Sequence, residues 1–291
     1  MLVSALVYPR MVQSELRLQR PSMNKTEQIY KEILKRSVVN SKDLSNISKK
    51  VLGRKDINYL YWKYIYRLIK DGKIGKIKRG LYFGIPLDKL DEDFEVDRYI
   101  LANKIENGYT LGYHTALELH GAAYSTFNNI FILSKKQHRF RRFRFQNVTY
   151  VPVINKHHNT HLITIKYKNN EVIVADPART FVECLSRVDL CGGWEECLKS
   201  LTNLRGVEVT DVKEVLKIYK NKTLELKNGY VLELLSKKSP YNGHIKYDEL
   251  KPLKPLRNWI PLYIDRNVPS KLNKKWGLYI PEGFNEYLRG I

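Results

Sequence analysis

Four arginines and three phenylalanines fill the seven positions from Arg139 to Phe145, with no acid among them. Phenylalanine rings seek burial, whereas guanidinium groups need water, a carboxylate or a phosphate, and their planar fork suits oxyanions. Alternation at the strand period puts Phe143 and Phe145 on one side and Arg142 and Arg144 on the other. Phe140 breaks that parity, so a bulge or turn is expected near Arg141. Lys135, Lys136, Arg139, Arg141, Arg142 and Arg144 form a candidate basic patch for the phosphates of DNA or RNA. An acidic protein is the rival partner, and the acids between 91 and 97 are the rival internal counter-ions.

A second set lies further upstream. A helix over DINYLYWKYIYRLIKDG, capped by Asp56, places Ile57, Leu60, Tyr61, Tyr64, Ile65 and Leu68 on one side. Tyr59, Trp62, Lys63, Tyr66 and Lys70 fall on the other, with Asn58 at its start. Ammonium and phenol groups meet phosphates, and flat rings pack on sugars or thymine methyls, which is what a helix in the major groove presents. Lys76, Lys78 and Arg79 follow at the tip of a hairpin in IGKIKRGLYFG, where they would reach the flanking backbone or minor groove. The plainer alternatives are aromatic packing under a neighbouring domain for Trp62 and Tyr66, and a solvated charge run for the hairpin.

Residues suited to catalysis are sparser. Asp176 and Glu183 are paired carboxylates, but Asp176 stands before a proline as a helix cap and Arg179 lies four residues before Glu183, the spacing of an ion pair. His114 and His120 are six apart, off the spacing that converges on a metal, and read as structural histidines bonded to backbone. His157, His158 and His161 sit in a polar stretch and read as solvated. Glu225 and Lys227 form an E-x-K, with Asp211 upstream, of the kind that metal-dependent nucleases use. Asp91 and Asp93 form a D-x-D with no Gly-Ser before it. No phosphate-loop, dinucleotide-binding or H-E-x-x-H pattern occurs. The expectation is a protein without catalytic residues, metal or cofactor, with a nuclease as the alternative.

The elements that would position these residues follow from periodicity. NKTEQIYKEILKRSVV and SKDLSNISKKVLG read as two helices before the one at 57–70, and the hairpin completes the order of a winged helix-turn-helix. Beyond an acidic connection come helices near 96–107 and over HTALELHG, then strands in IFILS, VTYVPVI, LITIKY and EVIVA, with a turn at Asn169-Asn170. Helices are expected after Asp176 and near 193–201 and 211–219. The fold class is α+β: an N-terminal winged helix-turn-helix, then a mixed body with a small, mostly antiparallel sheet. The expected divisions are an extension at 1–22, the DNA-binding domain at 23–85, a body at 86–204 and a C-terminal subdomain at 205–291, where Trp259, Tyr263, Trp276, Tyr279 and Phe284 look like packing residues.

Composition narrows the partner. The 291 residues carry a formal charge of +21 with 43% hydrophobic residues, enough for packed cores. The charge is clustered: residues 24–85 hold 16 basic and 5 acidic side chains, and 119–170 hold nine basic residues and no acid. A lysine-rich genome would not empty a window of acids, so a polyanion is the expected partner. Three cysteines without C-x-x-C spacing indicate buried thiols in a reducing cytosol, and no apolar run is long enough to cross a bilayer.

Three stretches resemble the AbiEi antitoxins of type IV abortive-infection toxin–antitoxin systems. The first is carried by Leu68, Gly72, Ile74, Ile77, Arg79, Gly80 and Tyr82, and the second by Thr115, Ala116, Leu117, His120 and Gly121. The third comprises Asp176, Pro177, Arg179, Thr180, Glu183 and Leu185. Thr115 stands where the family more often has serine, and Glu183 where it more often has aspartate; the likeness spans about 24–201. It implies a cytoplasmic autorepressor whose winged helix binds double-stranded DNA at operator repeats. It also implies that the rest of the chain counteracts a nucleotidyltransferase toxin, functionally rather than by stable contact. A basic scaffold for an acidic protein is a third reading.

Overall fold

The computed structural model describes residues 23–90, 92–105, 109–135, 140–255 and 260–289. Helix α1 (Lys25–Leu34) starts where Asn24 and Glu27 form a reciprocal capping box, and it buries Ile29 and Ile33 completely. Helix α2 (Ser41–Leu52) is capped in the same way by Asn40 and Asp43 and stops at Gly53, whose φ of 74° ends a helix without a side-chain clash. The third helix, α3, covers residues 57–70. Asp56 caps it, and a π-helical segment, Tyr61–Ile65, interrupts its α-turns. Strands β2 (Ile74–Lys78) and β3 (Leu81–Gly84) then form a hairpin bulged between Lys76 and Lys78, turning at Gly80 (φ 79°).

One element there was not expected. The segment assigned to the end of the first helix is strand β1 (Val38–Asn40), which pairs with β3 and gives the sheet order β1-β3-β2. Two adjacent β-branched valines favour the extended chain, and the pleat sends their side chains to opposite faces. Val39 joins Ile29, Ile33, Leu44, Leu60, Ile65 and Tyr82 in a core among the three helices. Val38 joins Leu81, Phe83, Tyr99, Ile130 and Tyr150 in a second core that belongs equally to the body. The small sheet is therefore buried on both faces.

The body is built on a six-stranded mixed sheet. Its strands are β4 (Thr110–Leu111), β5 (Asn129–Ser134), β6 (Phe143–Phe145), β7 (Val148–Ile154), β8 (Leu162–Tyr167) and β9 (Asn170–Ala175), in the order β6-β7-β5-β4-β9-β8. Two of its five strand pairings are parallel, β5 with β7 and β4 with β9. The β8–β9 hairpin turns through Lys168 and Asn169, both at positive φ. Helices Arg98–Lys104, Tyr113–Leu119, Pro177–Ser186, Gly193–Asn203 and Val209–Tyr219 pack around the sheet.

The 15-residue helix Lys222–Ser236 had no counterpart in the sequence reading. It leads to a small sheet of β10 (Leu262–Tyr263), β11 (Ser270–Asn273) and β12 (Leu278–Pro281). One core runs from Tyr113 to Leu288 and is continuous across position 204. Trp276 and Phe284 are buried in it, whereas Tyr263 is 43% exposed; Trp259 lies outside the described residues. No described helix is long and apolar enough to cross a membrane.

Candidate nucleic-acid interface

Helix α3 buries Leu60, Tyr64, Ile65 and Leu68 and turns its opposite side to solvent. Trp62 is 69% exposed and Tyr66 is 41% exposed, with ring centres 5.7 Å apart. Asn58, Lys63 and Lys70 are exposed beside them, and Lys70 Nζ lies 5.1 Å from the centre of the Tyr66 ring. Tyr59, expected on the outer side, is half-buried and packs edge-on against Tyr64. The π-helical segment accounts for the shift, because a wider turn rotates the residues before it relative to those after it. Tyr59 keeps one outward function: its hydroxyl accepts a 2.7 Å hydrogen bond from Lys63, and the guanidinium of Arg54 sits 3.6 Å from its ring centre. The Lys63 bond draws the Tyr59 phenol's pKa down and raises that of the lysine.

A recess of about 800 Å3 separates the start of α3 from the hairpin. Ser41, Lys55, Asn58, Trp62, Lys76 and Arg79 line it. Two acids of this part of the chain are occupied elsewhere. Glu32 pairs with Lys35, Arg36 and Lys50, and Asp43 pairs with Lys104. Hydrogen bonds from Lys50, and then from Arg36 and Lys35, outweigh burial and hold the Glu32 carboxyl at about 2. Asp56 also lines the recess, but its carboxylate is engaged by the Tyr59 amide at the head of α3. Among the described residues, Lys55, Lys76 and Arg79 have no carboxylate in ion-pair reach, so the lining carries three cations against the single carboxylate of Asp56.

Lys78 is placed differently from its neighbours on the hairpin. It is half-buried, with Nζ 4.6 Å from the centre of the Phe143 ring and 5.6 Å from that of Phe140. It connects the hairpin to the arginine-rich segment, which behaves as its alternation implied. Phe143 stacks on Tyr150 and Phe145 packs edge-on against Phe83, while Arg144 is exposed on the other side of edge strand β6. Phe140 is buried against Tyr109, and the chain between it and β6 is irregular, which resolves the parity break. Arg141, Arg142 and Lys135 are exposed; Lys136 and Arg139 lie outside the described residues. Two of the candidate counter-ions are committed elsewhere: Asp97 caps the helix Arg98–Lys104 and pairs with Lys168, and Glu92 pairs with Lys89. Asp91 lies outside the described residues.

Arg54, Lys55 and Arg67 were missed by the sequence reading. Arg67 is exposed and lies four residues after Lys63, a spacing that puts both on one helix side. Arg54 and Lys55 stand in the loop feeding α3, and only the fold shows that this loop borders the recess.

The residues weighed for catalysis do not converge. Glu225 and Lys227 lie two apart on a helix, which points them to different sides. Glu225 pairs with Lys222, and Lys227 lies over the Trp194 ring. No group of metal-ligating side chains is present among the described residues. Arg179 and Glu183 form the expected i, i+4 pair at 2.8 Å with Asp176 as cap, and both are fully buried. Glu183 Oε1 also accepts from Asn155 and Tyr219 at 2.7 and 2.9 Å, and burial raises the carboxyl's pKa against the Arg179 charge. Oε2 faces Gly112, where an added Cβ would come within 2.9 Å of it.

Two histidine expectations need correcting. His120 does bond the backbone, at Ala175 O. His114 instead stacks on Phe127 at 3.6 Å with its ring nitrogens toward Glu118 and Glu196, because helix Gly193–Asn203 brings Glu196 against it. His157, His158 and His161 are half-buried rather than solvated, since the turn that carries them packs against Tyr219, Arg179 and Asp176. The three cysteines are free and buried, as expected.

No family model and no curated protein matches the chain. Among solved structures it is similar to the crystal structure of the RV2827C protein from Mycobacterium tuberculosis, with 16% identity and a TM-score of 0.57 over 88% of this chain and 91% of that one. A likeness at that identity concerns the fold alone.

Proposed function

We propose that the chain is a DNA-binding transcriptional regulator whose residues 23–85 form a winged helix-turn-helix. The observation that carries this reading is the solvent-facing aromatic and basic side of α3, set beside a hairpin whose Lys76 and Arg79 have no carboxylate in ion-pair reach among the described residues. In this reading Asn58, Trp62, Lys63 and Tyr66 meet base edges and sugars in the major groove. Lys70, Lys76 and Arg79 neutralise flanking phosphates, and Tyr59 acts by holding Lys63. Lys78 anchors the hairpin to β6, and Arg141, Arg142 and Arg144 extend the basic surface from there.

The resemblance to AbiEi antitoxins supplies the regulatory context: a cytoplasmic autorepressor acting on operator repeats of its own promoter and counteracting a nucleotidyltransferase toxin. The nuclease alternative is disfavoured by the divergence of Glu225 and Lys227 on their helix. The test is a gel-shift titration with double-stranded DNA from upstream of the gene at 50 and 200 mM salt. For about four neutralised phosphates, affinity is expected to fall roughly a hundredfold between the two. A salt-independent shift, or no shift, refutes the reading.

A further inference from the structure

We infer that a second recess, at the C-terminal end of helix Lys222–Ser236, binds an acidic protein segment that also carries apolar side chains. The recess measures about 840 Å3 and opens between that helix, β11, β12 and the turn Phe284–Leu288. Its floor is apolar: Tyr230 and Leu234 from the helix meet Ile280 and Phe284, with Leu272 40% exposed at the edge. Its rim holds Lys237, Lys238, Lys271 and Arg289. Lysines at a helix C-terminus are common because they complement its dipole; the apolar floor beside this pair is what sets it apart.

The charge pattern chooses the occupant. Lys271 already pairs with Glu282 at 3.6 Å, and Arg289 with Glu286 at 3.0 Å. Lys237 and Lys238 are exposed and have no carboxylate in ion-pair reach among the described residues; Lys237 still feels Glu233, which is itself paired with Lys275. A nucleic-acid backbone laid along this rim would run its phosphates over Glu282 and Glu286. A protein segment with carboxylates at one end and a leucine-like side chain beyond them meets the two exposed lysines and the floor without that repulsion. This site is independent of the DNA-binding reading, since none of its residues belongs to α3, the hairpin or β6.

The probe is a fluorescent peptide of glutamates and leucines at helical spacing, titrated against the full chain by anisotropy. A leucine-free glutamate–serine peptide and a labelled single-stranded oligothymidylate are run in parallel. Binding of the Glu/Leu peptide is expected, weakened about tenfold by the double substitution Lys237→Glu/Lys238→Glu, and with little binding of the leucine-free peptide. Because two glutamates oppose the dipole at this helix C-terminus, a cooperative urea melt of the double variant is the control that marks the effect as local. The inference is overturned by absence of Glu/Leu peptide binding or by equal binding to the double variant. Displacement of the peptide by the oligothymidylate overturns it as well.

Discussion

Lys78 Nζ lies 4.6 Å from the centre of the Phe143 ring, and this contact joins the two basic regions of the chain. The face of the Phe143 ring offers the ammonium group a favourable contact, while Arg144 projects from the other side of β6. The hairpin and edge strand β6 are thereby held side by side. Phe83, from the hairpin, stacks on Phe94 and meets Phe145 edge-on, which fixes the same junction from below.

Trp62 and Tyr66 separate binding from folding. Both rings project into solvent, so Trp62→Ala and Tyr66→Ala are expected to change unfolding free energy by no more than about 0.5 kcal/mol. If they meet the major groove, each lost base contact weakens operator binding by roughly 1–3 kcal/mol. Urea melts and gel shifts on the same preparations check this, and undiminished site selection in the double variant would remove α3 from the interface.

The Arg179–Glu183 pair should behave in the opposite way. Both side chains are fully buried, and Glu183 Oε1 collects bonds from Arg179, Asn155 and Tyr219. Removing one partner strands the other in a medium of low polarity, so Glu183→Leu is expected to cost roughly 3–5 kcal/mol in a urea melt. Glu183→Asp, which keeps the charge, should cost less. A loss of DNA binding in Glu183→Leu while the protein remains folded would be contrary to this structural role.

Stability should fall with acid in two separate windows. His120, His157 and His158 have pKa values lowered chiefly by burial, with the charges of Arg179, Lys156 and Lys135 adding to the effect at the latter two. The unfolded chain therefore takes up these protons first, and the stabilisation is present above 6.5 and lost as pH falls below it. Glu32, held at about 2 against 4.5, contributes stability above 4.5 that is lost toward pH 2. Thermal melts between pH 8 and 2 read both windows; Glu32→Gln should shrink only the lower one, to which Glu118, Asp189, Glu196 and Glu233, all with lowered pKa values, also contribute.

Much of this was legible in the sequence because local rules decide it. Asp56 and Asp176 cap helices, as short side chains before apolar periodic runs do. The alternation of Phe143, Arg144 and Phe145 at the strand period is enough to send rings inward and arginine outward. What escaped were features set by distant partners. Val38 and Val39 look like a helix end until β3 arrives to pair with them. Helix Lys222–Ser236 is apolar on several sides because it is packed on several sides, which erases the amphipathic signal. The half-burial of Tyr59 depends on a π-turn that no residue pattern announces, and the position of His114 depends on a helix more than seventy residues away.

The adjacent valines of β1 tie the fate of the two halves together. One methyl-bearing side chain belongs to the helical head and the next to the body, with no slack segment between them. A piece severed after residue 85 would turn Val38, Leu81 and Phe83 toward water, so the head cannot be expected to survive as a free module. Nor can it swivel on a tether: whatever grips the body also aims the head.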